Sequence, residues 1–301
     1  WLVVIGIAAY ARSMMITDSR PYVTPTVDLI LAGPDAFYDL ITAGAESAAE
    51  RYDVNLRVHR PDGTGPGQTD ALHQIDLATS NGVAVSPLAP DEQRTIINRL
   101  ASKVPLVTYD NDLPDSLRMC YIGTNNWTGG QLSADLVRWT LPEGGRIALF
   151  IGDNVRQNAR HRRQAFMAAL KYERPNPDAD NWNLTDSLEV GNYTLVRCYL
   201  DDSNPEQARA NAAQAIKDYP DLDCMVGLYG YSAPACLKAL QEAGKVGEIK
   251  VVAFDEHAET LDGIAAGHIF GTVVQDPFQF GFDAVRIIAE INRTPDRADH
   301  M

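Results

Sequence analysis

From Thr26 onward the chain alternates short apolar runs with stretches of helical period. The first runs are "TVDLILA" from Thr26, "VNLRV" from Val54, "GVAVS" from Gly82, "PLVTY" from Pro105 and "CYIG" from Cys120. "RIALFI" from Arg146, "LVRCYL" from Leu195, "CMVGLY" from Cys224, "IKVVAF" from Ile249 and "IFGTVV" from Ile269 follow. Between them Phe37, Leu40, Ile41, Ala45, Ala48 and Tyr52 recur at helical spacing, as do Ile96, Ile97 and Leu100, and Ala208, Ala212, Ala213 and Ile216. A strand that is apolar on both faces must be covered on both faces, and strand–helix alternation achieves this with parallel sheets. The pattern therefore predicts an α/β chain. Ten strands exceed one comfortable sheet, and the pattern restarts at Arg146 after "LPEGG". Two doubly wound lobes follow. No low-complexity linker separates them, which implies ordered crossing strands, and Tyr172 to Asp186 reads as an irregular surface insertion.

A net charge of −14 repels phosphate backbones and anionic lipid surfaces, so nucleic acid and membrane are poor partners for this chain. Cys120, Cys198, Cys224 and Cys236 show no metal-ligand spacing and sit in or beside apolar runs, which makes them buried free thiols. Nothing in the sequence requires a metal or a cofactor. At the N-terminus an apolar stretch from Trp1 to Ala8 runs into Ala9-Tyr10-Ala11, a small-x-small pattern followed by Arg12. A truncated export signal, an uncleaved anchor and an ordinary strand all remain open for residues 1–25, with export the expectation.

Signatures of enzymatic chemistry are sparse: GxSxG, a Walker loop and HExxH are all missing from the sequence. "GTGPG", Gly63 to Gly67, reads as a plain loop because Pro66 interrupts the turn-to-helix geometry of a dinucleotide fingerprint. His257 reads as a surface histidine. "RQNARHRRQAF", from Arg156, reads as a helix with one arginine, Arg162, aimed into a cleft and the others solvated.

The ends of the strands carry the functional signal. "VTYDND" ends a core strand on Asp110, Asn111 and Asp112, strongly solvated groups at the end of a strand where open α/β sheets bind ligands. Asp35, Phe37 and Tyr38 follow the first strand, Tyr229 and Tyr231 another, Asp255 the next and Gln275 the last. A single acid in such a place can be a helix cap. Together they offer aromatic faces for the C–H faces of a sugar and charged groups for short hydrogen bonds to hydroxyls. This set suits a neutral polyol and lacks the cationic cluster that phosphate requires. It contains no histidine, so its charges are expected to be constant between about pH 6 and 8.

At these residues the chain resembles the type I periplasmic sugar-binding proteins, the ribose-binding-like solute receptors of ABC importers within the periplasmic-binding-protein and LacI ligand-domain superfamily. The resemblance runs from about Thr26 to about Arg293 and rests on "VTYDND…YIGTNNWTGG", "NARHRRQAF" and "VVAFDEHAETLDGIAAGHIFGTVVQDPFQFG". It implies a ligand set of Asp35, Phe37, Tyr38, Asp110, Asn111, Arg162, Tyr229, Asp255 and Gln275. Asn111 and Tyr229 depart from the family's arginine and asparagine, and Ser203 stands where an aromatic would cap the sugar, so the resemblance implies the receptor class and not ribose in particular. The family's last hinge-crossing strand has no counterpart before Met301. The resemblance also places Cys198 and Cys224 on strands flanking the one from Arg146, where they cannot pair.

The expectation is a two-lobed, hinged receptor and not an enzyme, with residues 26–124 and 276–301 in one lobe and 125–275 in the other. It would act in the periplasm as a monomer, capture a monosaccharide and deliver it to an ABC transporter permease. The alternatives are a sugar-sensing ectodomain feeding a chemoreceptor or sensor kinase, and a carbohydrate-active enzyme using Asp110 and Asp255.

Overall fold

The computed structural model describes residues 23–174, 176 and 183–294, so the N-terminal apolar segment lies outside the described residues. The first sheet contains β1 (Thr26–Ile30), β2 (Asn55–His59), β3 (Gly82–Val85), β4 (Leu106–Tyr109) and β5 (Tyr121–Ile122), all parallel, in the order β2-β1-β3-β4-β5. The second contains β6 (Gly145–Ile151), β7 (Leu188–Val190), β8 (Tyr193–Leu200), β9 (Cys224–Gly227), β10 (Lys250–Phe254) and β11 (Gly271–Val273). Its order is β11-β10-β9-β6-β8-β7. The edge strand β7 runs antiparallel to β8, a departure from the all-parallel expectation. It lies just after the irregular insertion and is too short to declare itself by pattern.

The helices are α1 (Ala36–Arg51), α2 (Gly65–His73), α3 (Pro90–Ala101), α4 (Asn126–Thr140), α5 (Gln157–Leu170), α6 (Pro205–Asp218), α7 (Ser232–Ala243), α8 (Ala258–Ala265) and α9 (Pro277–Arg293). Each sheet is covered on both faces by apolar cores: Val27, Leu29, Ile41 and Ile288 belong to one core of the first sheet, and Ile30, Leu72, Ile97 and Leu100 to the other. The second sheet is enclosed in the same way by the Phe166 and Phe150 cores. Leu40 is exposed, although the helical period had put it on the buried face of α1. All four cysteines are free thiols, and Cys198 on β8 and Cys224 on β9 flank β6.

Two sequence expectations need correction. Gly65 to Gly67 open helix α2 instead of a loop, with Thr64 as the cap accepting the Gly67 N–H at 3.1 Å. Pro66 fits the first turn because its missing N–H would have had no helical partner there. The helix also delivers Gln68, fully buried, whose amide donates to the carbonyls of Leu31 and Ser86 and accepts from the Leu88 N–H. The crossing strands are instead two short irregular passes, residues 123–125 from β5 to α4 and residues 274–276 from β11 to α9.

After the second pass α9 returns to the first sheet, where it packs on α1. Two glycines allow the contact. A Cβ at Gly281 would lie 1.8 Å from the Ile41 carbonyl oxygen, and one at Gly44 would lie 1.8 Å from that of Phe278. Neither oxygen belongs to a side chain that could rotate away. Gly281→Ala should therefore destabilise the protein by about 1–3 kcal/mol, the usual cost of overpacking. Urea unfolding is the measurement, and an unchanged midpoint would show that the helices separate freely.

Candidate functional site

In both sheets the chain order reverses beside the first strand of the sheet, between β1 and β3 and between β6 and β9. The crevice at the carboxyl ends of such strands is where this architecture binds ligands. The residues singled out at the strand ends collect there.

On the first lobe Asp110 follows β4 with φ 56°, in the left-handed region that a non-glycine residue adopts at a cost. Its Oδ2 accepts from Tyr38 Oη at 2.9 Å, Ser86 Oγ at 3.1 Å and Asn111 Nδ2 at 3.1 Å. Its Oδ1 accepts no hydrogen bond from the described residues. Burial pushes this carboxyl above its ordinary value, against the opposing pull of Tyr38, Arg162 and Ser86. Asp35 serves as the cap of α1, accepting the N–H groups of Phe37 and Tyr38 at 3.0 and 3.3 Å. Tyr38 is buried with its hydroxyl on Asp110, and Phe37 packs edge-on against its ring at 5.4 Å. Asn111 keeps a buried Oδ1 with no partner among the described residues.

On the second lobe Asp255 follows β10 with φ 69°, the same strained conformation as Asp110. Gln275 Nε2 donates to its Oδ1 at 2.7 Å, and burial raises this carboxyl too, with Arg162 opposing. Arg162 on α5 is 2% exposed. Its Nε donates to Asn126 Oδ1 at 2.8 Å, Nη1 to the Leu228 carbonyl at 2.8 Å and Nη2 to Gln275 Oε1 at 3.2 Å. The guanidinium lies 3.9 Å from the centroid of the Phe254 ring and 5.6 Å from that of Tyr229. Tyr229 donates to Asn158 Oδ1 at 3.2 Å.

The two lobes face one another across this cleft. Asp110 feels both Arg162 and Asp255, Tyr38 feels Arg156, and Asp35 feels His257. His257 is exposed at the rim, with Nδ1 2.5 Å from Glu259 Oε2. Among the described residues no group of three or more His, Cys, Asp or Glu could hold a metal ion.

With this geometry in place, a comparison with known proteins is decisive for the family. The model of the periplasmic binding protein domain matches residues 29–293. The chain belongs to that family. Its members are binding proteins and not enzymes. The chain is similar to the D-ribose/D-allose-binding protein of Pseudomonas aeruginosa, 22% identical over 221 residues that cover 69% of this chain. That match spans 64% of the relative's own length. Similarity to the D-allose-binding periplasmic protein of Escherichia coli is 24% over 266 residues, covering 83% of this chain and 79% of the other. GanP, a glucose-galactose binding protein from Geobacillus stearothermophilus, shares the fold, with a TM-score of 0.79, 23% identity and coverage of 90% and 91% of the two chains.

The nine expected site residues of this periplasmic binding protein all lie at the cleft. Others brace it as well: Tyr231 and Ser203, noted in the sequence but left outside the ligand set, and Ser86, Asn126, Arg156, Asn158 and Asp201, which were missed. Asp201 ends β8 in "YLDDSN", the same acid-after-strand signal that marked Asp110 and Asp255. The arginine run also needs revision. Arg162 is buried as expected, but Arg163 is buried as well, donating to Asn154 Oδ1 at 3.1 Å, and Arg156 is half-buried in the cleft wall. Arg160 alone of these four is exposed.

Asp201, which stands outside the expected ligand set, does not share the constant charge expected of that set near neutrality. The residue is 1% exposed, accepts from Tyr231 Oη at 2.5 Å and from the Ser203 N–H at 3.0 Å, and its Oδ2 has no partner among the described residues. Burial outweighs these hydrogen bonds and pushes the carboxyl up to about 7 from 3.8. The folded chain therefore binds this proton more tightly than the unfolded chain does. The resulting stabilisation is fully present below about pH 4 and is lost as the pH rises through about 7, with a slope of up to about 1.4 kcal/mol per pH unit. Asp201→Asn should flatten this fall and leave the variant more stable than wild type at pH 8. Urea titrations at pH 5, 6, 7 and 8 test it; parallel profiles for the two proteins would contradict it.

Proposed function

We propose that this protein is an extracytoplasmic receptor that captures a neutral monosaccharide, a pentose, hexose or similar polyol, between its lobes and hands it unchanged to an ABC-type permease. The observation that carries the reading is the pairing of Asp110 and Asp255. Each lobe offers one strained aspartate, Asp110 buried and Asp255 half-buried, with one oxygen tied to protein donors, and Arg162 carries the opposite charge toward both. Hydroxyl groups donate to such carboxylates and accept from such a guanidinium in short, charge-assisted bonds. The names of the two curated relatives, binders of ribose and allose or of allose, point the same way.

In this reading residues 26–124 and 276–294 move as one lobe and 125–275 as the other, closing about the two passes of chain, and residues 295–301 of the expected first lobe lie outside the described residues. The ligand set is Asp35, Phe37, Tyr38, Asp110, Asn111, Arg162, Tyr229, Asp255 and Gln275, and the receptor acts as a monomer. Placement in the periplasm rests on the family. No helix among the described residues is long and apolar enough to cross a membrane.

Thermal shift with D-ribose, D-allose, D-glucose and D-galactose tests the reading. A true ligand at 100 to 1,000 times its Kd should stabilise by about 3–4 kcal/mol and be recovered unmodified. Asp110→Ala and Asp255→Ala should each weaken binding by about 1.5–3 kcal/mol, the worth of a hydrogen bond to a charged group. Wild-type affinity by calorimetry in both variants would refute the site, and a chemically altered sugar would refute the receptor role.

A further inference from the structure

One group of polar side chains at the cleft lies beyond those that surround Arg162. Tyr231 is one ring further along the wall, 6.0 Å from Tyr229 between centroids, and its hydroxyl is held by Asp201. The turn after β8 is unusually constrained: Asp202 and Ser203 both adopt left-handed conformations, with φ 52° and 60°. Main-chain bonds from Asp201 and Asp202 to the Gly152 carbonyl, and from Ser203 to the Asp201 side chain, hold it there. A Cβ at Gly152 would lie 2.9 Å from Ser203 Oγ and 3.1 Å from Tyr231 Oη, so the two hydroxyls crowd the same spot. Consecutive strained residues without a glycine persist only where the surroundings over-determine them.

Arg156 meets this turn. Its Nη1 donates to Ser203 Oγ at 3.3 Å, and its Nε pairs with Asp153 Oδ2 at 3.1 Å. Its remaining N–H groups have no partner among the described residues. Burial works against its charge, while Tyr229 and Asp153 on its own wall and Tyr38 and Asp110 on the first lobe favour it.

We propose that Arg156 and Ser203 form a specificity-determining subsite for the hydroxyl of a hydroxymethyl group on a pyranose ring, which makes the ligand a hexose and not a pentose. The inference rests on the sugar-binding reading and deepens it. Arg162 and Asp255 are joined through Gln275, whereas Arg156 and Ser203 are joined to each other at the turn after β8. An exocyclic hydroxyl accepts from the guanidinium and donates to Ser203 Oγ, using both kinds of partner at once. An anionic substituent fits worse, because Asp153 already balances Arg156 and Asp110 lies close by. A pentose leaves the subsite without a sugar partner.

Ring-matched pairs supply the test: D-allose against D-ribose, D-glucose against D-xylose, and D-galactose against L-arabinose, each pentose being the hexose without its exocyclic carbon. Calorimetry on the full chain should show the hexose of the preferred pair binding about 10- to 100-fold more tightly. Arg156→Met and Ser203→Ala should each narrow that gap by weakening the hexose and leaving pentose affinity within about twofold. Either variant suffices if the other fails to fold, as judged by circular dichroism. Equal binding of both members of every pair, or an equal loss for both in a folded variant, would overturn the subsite while leaving the sugar receptor standing. If none of the six sugars binds, the sugar reading falls and the subsite falls with it.

Discussion

A guanidinium at 2% exposure holds the second lobe's binding edge together. Burying a cation is costly unless its hydrogen bonds are met, and Arg162 meets them with groups from separate elements: Asn126 at the start of α4, the Leu228 carbonyl after β9 and Gln275 after β11. The Phe254 ring at the end of β10 covers its face. Gln275 also holds Asp255, and it lies within the pass of chain that returns to the first lobe. One charge thereby links the aspartate after β10 to the connection between the lobes. Any movement there must keep the Arg162 bonds or replace them.

The two lobes solve the same problem with the same topology. Read from its own first strand, each sheet has the order 2-1-3-4-5, with β7 added at the edge of the second. Asp110 follows the fourth strand of the first sheet and Asp255 the fourth strand of the second. Both are left-handed, at φ 56° and 69°. Strain of this kind costs of order 1–3 kcal/mol per residue. Its recurrence at equivalent places shows a conformation imposed by the turn, one that directs a carboxylate back over the sheet end instead of out into solvent.

The fold was legible because continuous apolar strands leave little choice: β3 and β9 are fully apolar runs that only a doubly covered parallel sheet can bury, and β1 and β4 are interrupted only by Thr26 and Asp28 and by Thr108. The cleft was legible wherever a polar residue broke such a run, as at Asp110 and Asp255. It was not legible where the polar residue sits inside a helix pattern. Gln68 and Arg163 are buried by neighbours distant in sequence, and no local period marks a side chain whose partners are Leu31 and Ser86 or Asn154. Pro66 misled for a local reason, since the same residue breaks a helix interior and suits a first turn. Asp201 carried the right signal but belonged to a turn whose left-handed residues are not glycine, so nothing announced how tightly it would be enclosed.

The electrostatics of the cleft bear on how a neutral ligand could control its shape. Asp110 and Asp255 come from opposite lobes, each is pushed toward protonation by burial, and Asp255 adds to that push on Asp110. Arg162 opposes it at both, and Arg156, which also acts on Asp110, is already paired with Asp153, so the two carboxylates outweigh the free positive charge in a medium of low dielectric. Bringing the lobes together without a ligand therefore places like charges where water can no longer screen them. On the sugar-binding reading, hydroxyl donors interposed between the lobes give each carboxylate a hydrogen bond and restore what desolvation removed. The same acids that disfavour an empty closed cleft then favour a filled one, and a ligand without net charge can drive closure because it brings donors to both sides at once.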